Sequence, residues 1–330
     1  MGISSNSKIK VAVIRGGPSQ DYDASLKNGE HVLYLLREKL ENYEPIDIFI
    51  SKEGEWYLNG VKVEPHKALE YADIVFNALQ GKYADEGSVQ KLLASLNKPY
   101  TGSTALGSVL ALNKDLAKKA YLNHGLFVPR HEVLTGDEEL ERLVEIFRNY
   151  MHPLVIKPSD ENYRRGVKLA YTFEELAKYI DEALEYSPRV IVEEFVRGRE
   201  ARCGVIEGFR GEKHYALVPV EVLVSKKNKL MPDYDKKFNS VHEYLQENTF
   251  SQNEKSVLEH TAKKAHEALG LRHYSYSDLI LTPQGKVYVL ETGALPDFSK
   301  DSLLHRSLEY IGSSPERFLE HVLILARESK

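Results

Sequence analysis

The chain of 330 residues holds a single cysteine, Cys203, so no internal disulfide can form. Cys203 lies in an apolar stretch, which favours a buried structural thiol over a nucleophile. No apolar run approaches the roughly 20 residues that a membrane span needs. Residues Met1 to Lys8 contain no apolar signal region, and the myristoylation pattern that Gly2 begins fails at Asn6, where serine or threonine is required. Positive charge is not in surplus: 44 Lys and Arg stand against 49 Asp and Glu, a formal charge of −5. That balance gives no electrostatic reason to expect nucleic acid or an anionic membrane as partner, and a polyanionic ligand would need a local cluster of cations. Internal repeats, low-complexity segments, metal-site histidine spacing and a G-x-S-x-G frame are all lacking. The expectation is a soluble cytoplasmic protein.

What is present is a regular alternation. Lys10–Ile14, Ile46–Ile50 and Ile74–Phe76 read as strands, and Leu26–Leu40 and Val89–Leu96 as helices. Strands alternating with helices predict a largely parallel sheet covered on both faces. The texture changes near Gly102. Helices run through Leu122, followed by a strand at His131–Leu134 and a helix at Glu138–Tyr150. A strand at Leu154–Ile156 is expected to stop at Lys157-Pro158, since proline cannot extend a ladder. Val190–Val192 is another strand. Long strands are expected at Ala201–Ile206 and Tyr215–Val224, a polar segment from Lys226 to Gln252, and a helix at Val257–Leu269. A hairpin of Tyr274–Leu281 and Lys286–Leu290 turns at Thr282-Pro283-Gln284-Gly285, and two helices close the chain. The reading is a multi-domain α/β (α+β) protein, with units at 1–101, 102–190 and 191–330.

The hairpin carries the sharpest chemistry. Asp278 and Glu291 fall at its open end, opposite one another and embedded in apolar sequence, where carboxylates need partners. Two converging acids suit Mg²⁺; solvated strand-end acids are the simpler alternative. Lys157 ends one apolar strand and Glu193-Glu194 the next, and ligands gather at strand ends in α/β folds. Ordinary surface charge is the competing reading, as solvation of a helix face is for Lys114, Lys118 and Lys119. The turn Gly16-Gly17-Pro18-Ser19 offers backbone amides to an anion, but it is neither a Rossmann nor a Walker loop.

These pieces, with Val11 to Ser19, Asn77 to Gly81, Asp85 to Gln90, Pro99 to Ser103, Asn113-Lys114, Val192 to Phe195, Gly198 to Glu200, Leu295-Pro296 and Ser302-Leu303, resemble the D-alanine–D-alanine ligase family from about residue 9 to 328. The resemblance implies an ATP-grasp fold: an N-terminal parallel-sheet α/β domain and two domains clamping ATP between antiparallel sheets. It implies a carboxylate–amine ligase that joins two amino acids, D-alanine to D-alanine, through an acyl phosphate for peptidoglycan precursor synthesis. Carried over by position, Lys114 and Lys157 hold phosphates. Glu193, the backbone from Glu194 to Val196, and Glu200 hold adenine and ribose. Lys237 reaches the γ-phosphate. Asp278 and Glu291 bind Mg²⁺ (or Mn²⁺), Asp21 faces the first substrate's ammonium, and Ser302 faces the second substrate's carboxylate. Family members are commonly homodimers, so a dimer is expected.

The chain departs from the family's pattern at several of these positions. The phosphate loop Gly-Ser-Ser-x-Gly reads Asn162-Tyr163-Arg164-Arg165-Gly166, where Arg164 or Arg165 can substitute electrostatically. Tyr163, Asp21 and Phe238 replace a serine, a glutamate and a tyrosine that contact one another. Tyr276 replaces an arginine two residues before the metal aspartate, and Gly293 replaces an asparagine of the metal site. Asp297 stands for a glycine and Gln80 for a histidine. These departures leave a second reading beside the ligase: a nucleotide-binding ATP-grasp protein with altered substrate or no ligation.

Overall fold

The computed structural model describes residues 8–161, 166–223, 243–244 and 249–329. They form three sheets, each with its own apolar core. In the first, strand Ile9–Gly16 lies parallel to both Tyr43–Ile50 and Ile74–Asn77. Its residues Val11 to Ile14 are fully buried, as a strand covered on both faces demands. The sheet is parallel at its centre, as expected, but carries an antiparallel edge that the sequence reading missed, Trp56–Leu58 and Val61–Lys62. The helix Pro315–Glu328, last in the chain, packs its Phe318, Leu319 and Val322 into this first core.

The second sheet is antiparallel, in the order His131–Leu134, Val190–Glu194, Leu154–Pro158, Lys168–Ala170. Helices Leu140–Asn149 and Phe173–Leu184 cover one face; the second, opened by a Thr172–Glu175 capping box, was not anticipated. Two expectations are corrected here. The strand runs two residues past Ile156, through Pro158, which as the terminal position needs no N–H. Val190–Glu194 pairs within this sheet, so a boundary at 191 would cut through a strand.

The third sheet is built on Arg199–Glu207, Tyr274–Leu281 and Val287–Gly293. The hairpin turn falls where predicted, with Gly285 at φ +80°. The long strand expected over 215–224 is two, His214–Ala216 and Val220–Leu223, interrupted before Pro219, which has no N–H to give a ladder. Helix Gln252–Ala268, fixed by a Ser251–Glu254 capping box, and the pair Ala105–Leu112 and Lys114–Asn123 bury their apolar faces against this sheet. The residues just after 101 thus share the core of the third sheet, not the second. Cys203 is buried there, its thiol reaching the Leu217 carbonyl at 3.2 Å and pushed far above its usual pKa by burial. Most of the expected polar segment 226–252 lies outside the described residues. No described helix is long and apolar enough to cross a membrane.

Candidate functional site: a cleft between two antiparallel sheets

Asn113 accepts the Leu116 amide at 3.0 Å and so starts the helix Lys114–Asn123. Lys114 and Lys118, four residues apart, then share one helix face, turned inward. Lys114 is 4% exposed and Lys118 0%, while Lys119, one residue on, is 63% exposed and pairs with Asp115. Helix-face solvation therefore describes Lys119 alone. The inward face meets the second sheet, where Glu193 is 3% exposed and not the surface charge of the simpler reading.

Glu193 takes Lys157 Nζ on Oε1 at 2.6 Å and Lys118 Nζ on Oε2 at 2.8 Å. The first is a hydrogen bond; the second is close but poorly aligned, leaving Lys118 Nζ without a hydrogen-bond partner. Burial alone would raise the Glu193 pKa, but the two ammoniums outweigh it and hold it at about 2. Burial lowers Lys118 to about 8, helped by repulsion from Lys157 and Lys114. Two buried cations on one anion leave one positive charge over, a costly arrangement without an incoming anion.

The third sheet forms the opposite wall. Asp278 faces Glu291 across the hairpin, and a register shift just after Asp278 pairs Leu279 with Val289. Glu291 Oε2 lies 3.3 Å from Lys114 Nζ, which also donates to the Glu161 carbonyl. Lys114, Lys157, Glu193, Glu194, Phe195, Val196, Glu200, Asp278 and Glu291 all border one cleft, so the predicted phosphate, adenine, ribose and metal positions come together. Its free volume is about 80 Å³, below the ~300–1,000 Å³ of a small-molecule pocket.

One charged residue beside Asp278 was missed. Arg202 stands directly across from Asp278 on the neighbouring strand, and cross-strand partners point to the same face. Its Nε and Nη2 each hold an Asp278 oxygen at 2.6 Å, and its guanidinium lies 4.6 Å from the centre of the Tyr276 ring. Arg202 thus brings a guanidinium to the corner where Tyr276 had seemed to remove one. Tyr276 lies between Gly204 and Gly293 in register, and a methyl group at Gly293 would overlap its ring. The two departures are one packing solution. Burial first, then Glu291 and Asp278, raises the Tyr276 pKa well above its usual value against the opposing effect of Arg202, so the phenol stays neutral.

Tyr276 and Ser302 border an adjoining cavity of about 210 Å³ with Arg202 and Asp297. Ser302 Oγ caps the helix Leu303–Tyr310, accepting the His305 amide at 3.2 Å. Asp297 accepts the Ser299 amide at 2.8 Å. Asp21 borders neither space. It precedes the helix Tyr22–Glu38 without capping it through its side chain, and its carboxylate lies against Gly81. Lys82, next in the chain, pairs with Asp160 and Glu161 at 3.2 and 3.3 Å and ties the first sheet's unit to the second's. Tyr163, Arg164, Arg165, Lys237 and Phe238 lie outside the described residues.

A cleft between two antiparallel sheets, with lysines on one wall and paired acids on the other, is the architecture of the ATP-grasp class. Comparison with known proteins agrees. The family model described as "D-ala D-ala ligase C-terminus" matches residues 118–324. The D-alanine–D-alanine ligase of Geobacter sulfurreducens is 30% identical over 319 residues, 96% of this chain and 94% of that protein. The D-Ala:D-Ser ligase VanG of Enterococcus faecalis superposes with a TM-score of 0.83 at 24% identity, covering 97% of this chain and 99% of that one. The Bacillus anthracis D-alanine–D-alanine ligase complexed with ATP gives 0.75 at 25% identity, covering 97% of each. The chain belongs to the D-alanine–D-alanine ligase family.

Proposed function

We propose that the chain is an ADP-forming ligase that joins D-alanine to D-alanine through an acyl phosphate, for peptidoglycan precursor synthesis. The surplus positive charge buried at Lys118, Glu193 and Lys157 carries this reading, because a polyphosphate is the ligand class that offsets it. Lys157 and Lys114 hold phosphate oxygens as point charges. When Lys157 turns to phosphate, Lys118 stays on Glu193, so that carboxylate keeps a counter-charge while it accepts from the adenine amino group. Glu194 and Val196 supply backbone contacts, and Glu200 takes the ribose.

Asp278 and Glu291 would hold Mg²⁺ or Mn²⁺, which would neutralise phosphate charge during phosphoryl transfer. The donor set fits: both groups are carboxylates, paired in register across the hairpin. Arg202 supplies the cation that stabilises negative charge developing between the cleft and the Ser302 cavity. Asp21 and Ser302 receive the first substrate's ammonium and the second substrate's carboxylate. Three units do this work, with the last boundary moved to the turn between Glu194 and Arg199, in a cytoplasmic homodimer.

The test is incubation with ATP, Mg²⁺ and a panel of D- and L-amino acids, reading ADP and dipeptide. D-alanyl-D-alanine is the expected product. Nucleotide binding with no amino-acid-dependent ADP would instead establish a non-ligating protein, the reading that Tyr276, Gly293 and Asp297 favour. Asp278→Asn is expected to weaken Mg²⁺-dependent nucleotide binding, and an unchanged Mg²⁺ dependence removes Asp278 from the metal site.

A further inference from the structure

At the far end of the strand that carries Arg202, three side chains converge on a common point. Glu207 ends the strand Arg199–Glu207, about 17 Å from Arg202 at the rise of an extended strand. His214 begins the short strand His214–Ala216 paired to it, and His266 lies in the last turn of helix Gln252–Ala268. One donor atom from each lies within 4.8 Å of the other two.

The hydrogen bonds around them decide which atoms remain. Glu207 Oε2 accepts the His273 amide at 2.5 Å, which leaves Oε1. His214 Nδ1 is 2.9 Å from the Glu267 carboxylate, which leaves Nε2. His266 Nδ1 meets Ser275 Oγ at 2.8 Å, which again leaves Nε2. His266 is fully buried, and its Nε2 has no hydrogen-bond partner. The remaining atoms face each other across a gap. His214 Nε2 lies 3.6 Å and His266 Nε2 3.5 Å from Glu207 Oε1. Those separations are too long for hydrogen bonds but close to the roughly 3.3 Å between ligand atoms around a tetrahedral Zn²⁺.

The neighbouring histidines are otherwise engaged. His273 accepts the Gly102 amide and meets Ser329 Oγ, and His321 Nε2 meets the Glu207 carbonyl at 2.7 Å. The outer contacts also have the form that metal-binding histidines need, one ring nitrogen fixed by a carboxylate or hydroxyl while the other points inward.

We propose that Glu207 Oε1, His214 Nε2 and His266 Nε2 form a site for Zn²⁺, with solvent as fourth ligand. Two imidazoles and one carboxylate select a borderline ion of zinc's class over Mg²⁺. The side chain of Glu207 is 26% exposed, so the site is reached from solvent. The ion fastens the strand end, the short strand and the helix terminus to one another. Ser275, which orients His266, adjoins Tyr276 in the chain, so the clasp steadies the strand that carries Tyr276 and Asp278. The set has no motif spacing, so no pattern along the chain points to it.

The test uses the full chain stripped of metal. Titration with Co²⁺ is expected to give visible absorption of tetrahedral intensity at one equivalent. Zn²⁺ is expected to displace it and to raise the melting temperature. His214→Ala and Glu207→Gln, which keeps size and an acceptor, are each expected to lower Zn²⁺ affinity about 100-fold. Glu291→Gln, in the nucleotide cleft, is expected to leave that affinity unchanged. Absence of the Co²⁺ band, or Zn²⁺ affinity that survives both His214→Ala and Glu207→Gln, would overturn the proposal. So would loss of the site in Glu291→Gln.

Discussion

Two charge clusters border the cleft, and they are balanced differently. On one wall, Lys118 and Lys157 share the single carboxylate of Glu193, and a positive charge is left over. On the other, Arg202 and Asp278 satisfy each other through two hydrogen bonds of 2.6 Å. The first arrangement is incomplete by itself and makes sense only with an anion beside it. In the second the charges cancel, so a ligand that uses Asp278 must work alongside Arg202. Surplus charge in a buried site points to what binds; a balanced pair points to what positions.

The largest expected effect sharpens the first cluster. Glu193→Gln leaves two buried ammoniums facing each other, and a loss of about 3–5 kcal/mol is expected in denaturant unfolding at pH 7. The Glu193 pKa is depressed in the fold to about 2, so its contribution is full above the unfolded value near 4.3. It is lost as pH falls from there towards about 2. The difference between wild-type and Glu193→Gln stabilities should close over that window, and a difference independent of pH would show that Glu193 does not carry the charge there.

Arg202→Met tests the second cluster. It is expected to lower kcat about 100-fold, as for loss of a charge-stabilising donor, with nucleotide affinity changed by under about threefold. A fall in nucleotide affinity with kcat unchanged would assign Arg202 to binding instead. Gly293→Ala drives a methyl group into the Tyr276 ring and is expected to cost about 1–3 kcal/mol as overpacking, visible in thermal unfolding. The same change made on a Tyr276→Ala background should cost far less, and equal costs on both backgrounds would separate the two positions. Lys119→Ala removes the outermost lysine of the same helix, exposed and paired with Asp115. Its expected effect is under about 0.5 kcal/mol.

Much of the frame was legible. The hairpin of Tyr274–Leu281 and Val287–Gly293 announced itself through apolar strands around Pro283-Gln284-Gly285, and its turn fixed Asp278 opposite Glu291. Lys118 was misread because the side of a helix that is buried depends on what packs against it, and nothing within residues 114–123 says that Glu193 will. Arg202 was missed for a related reason. Strand periodicity tells which face a residue occupies, but not which distant strand lies beside it, and its pairing with Asp278 joins segments 76 residues apart. Tyr276 and Gly293, read one at a time, looked like two losses. Only the register revealed that the ring fills the room that the glycine leaves.

That fit between Tyr276 and Gly293 bears on how such a site changes over generations. An asparagine at 293 cannot enter while the tyrosine is in place, and an arginine at 276 would meet the guanidinium already supplied from position 202. Reversion by single steps therefore passes through crowded or repelling combinations, and the altered corner is held by the mutual dependence of its members.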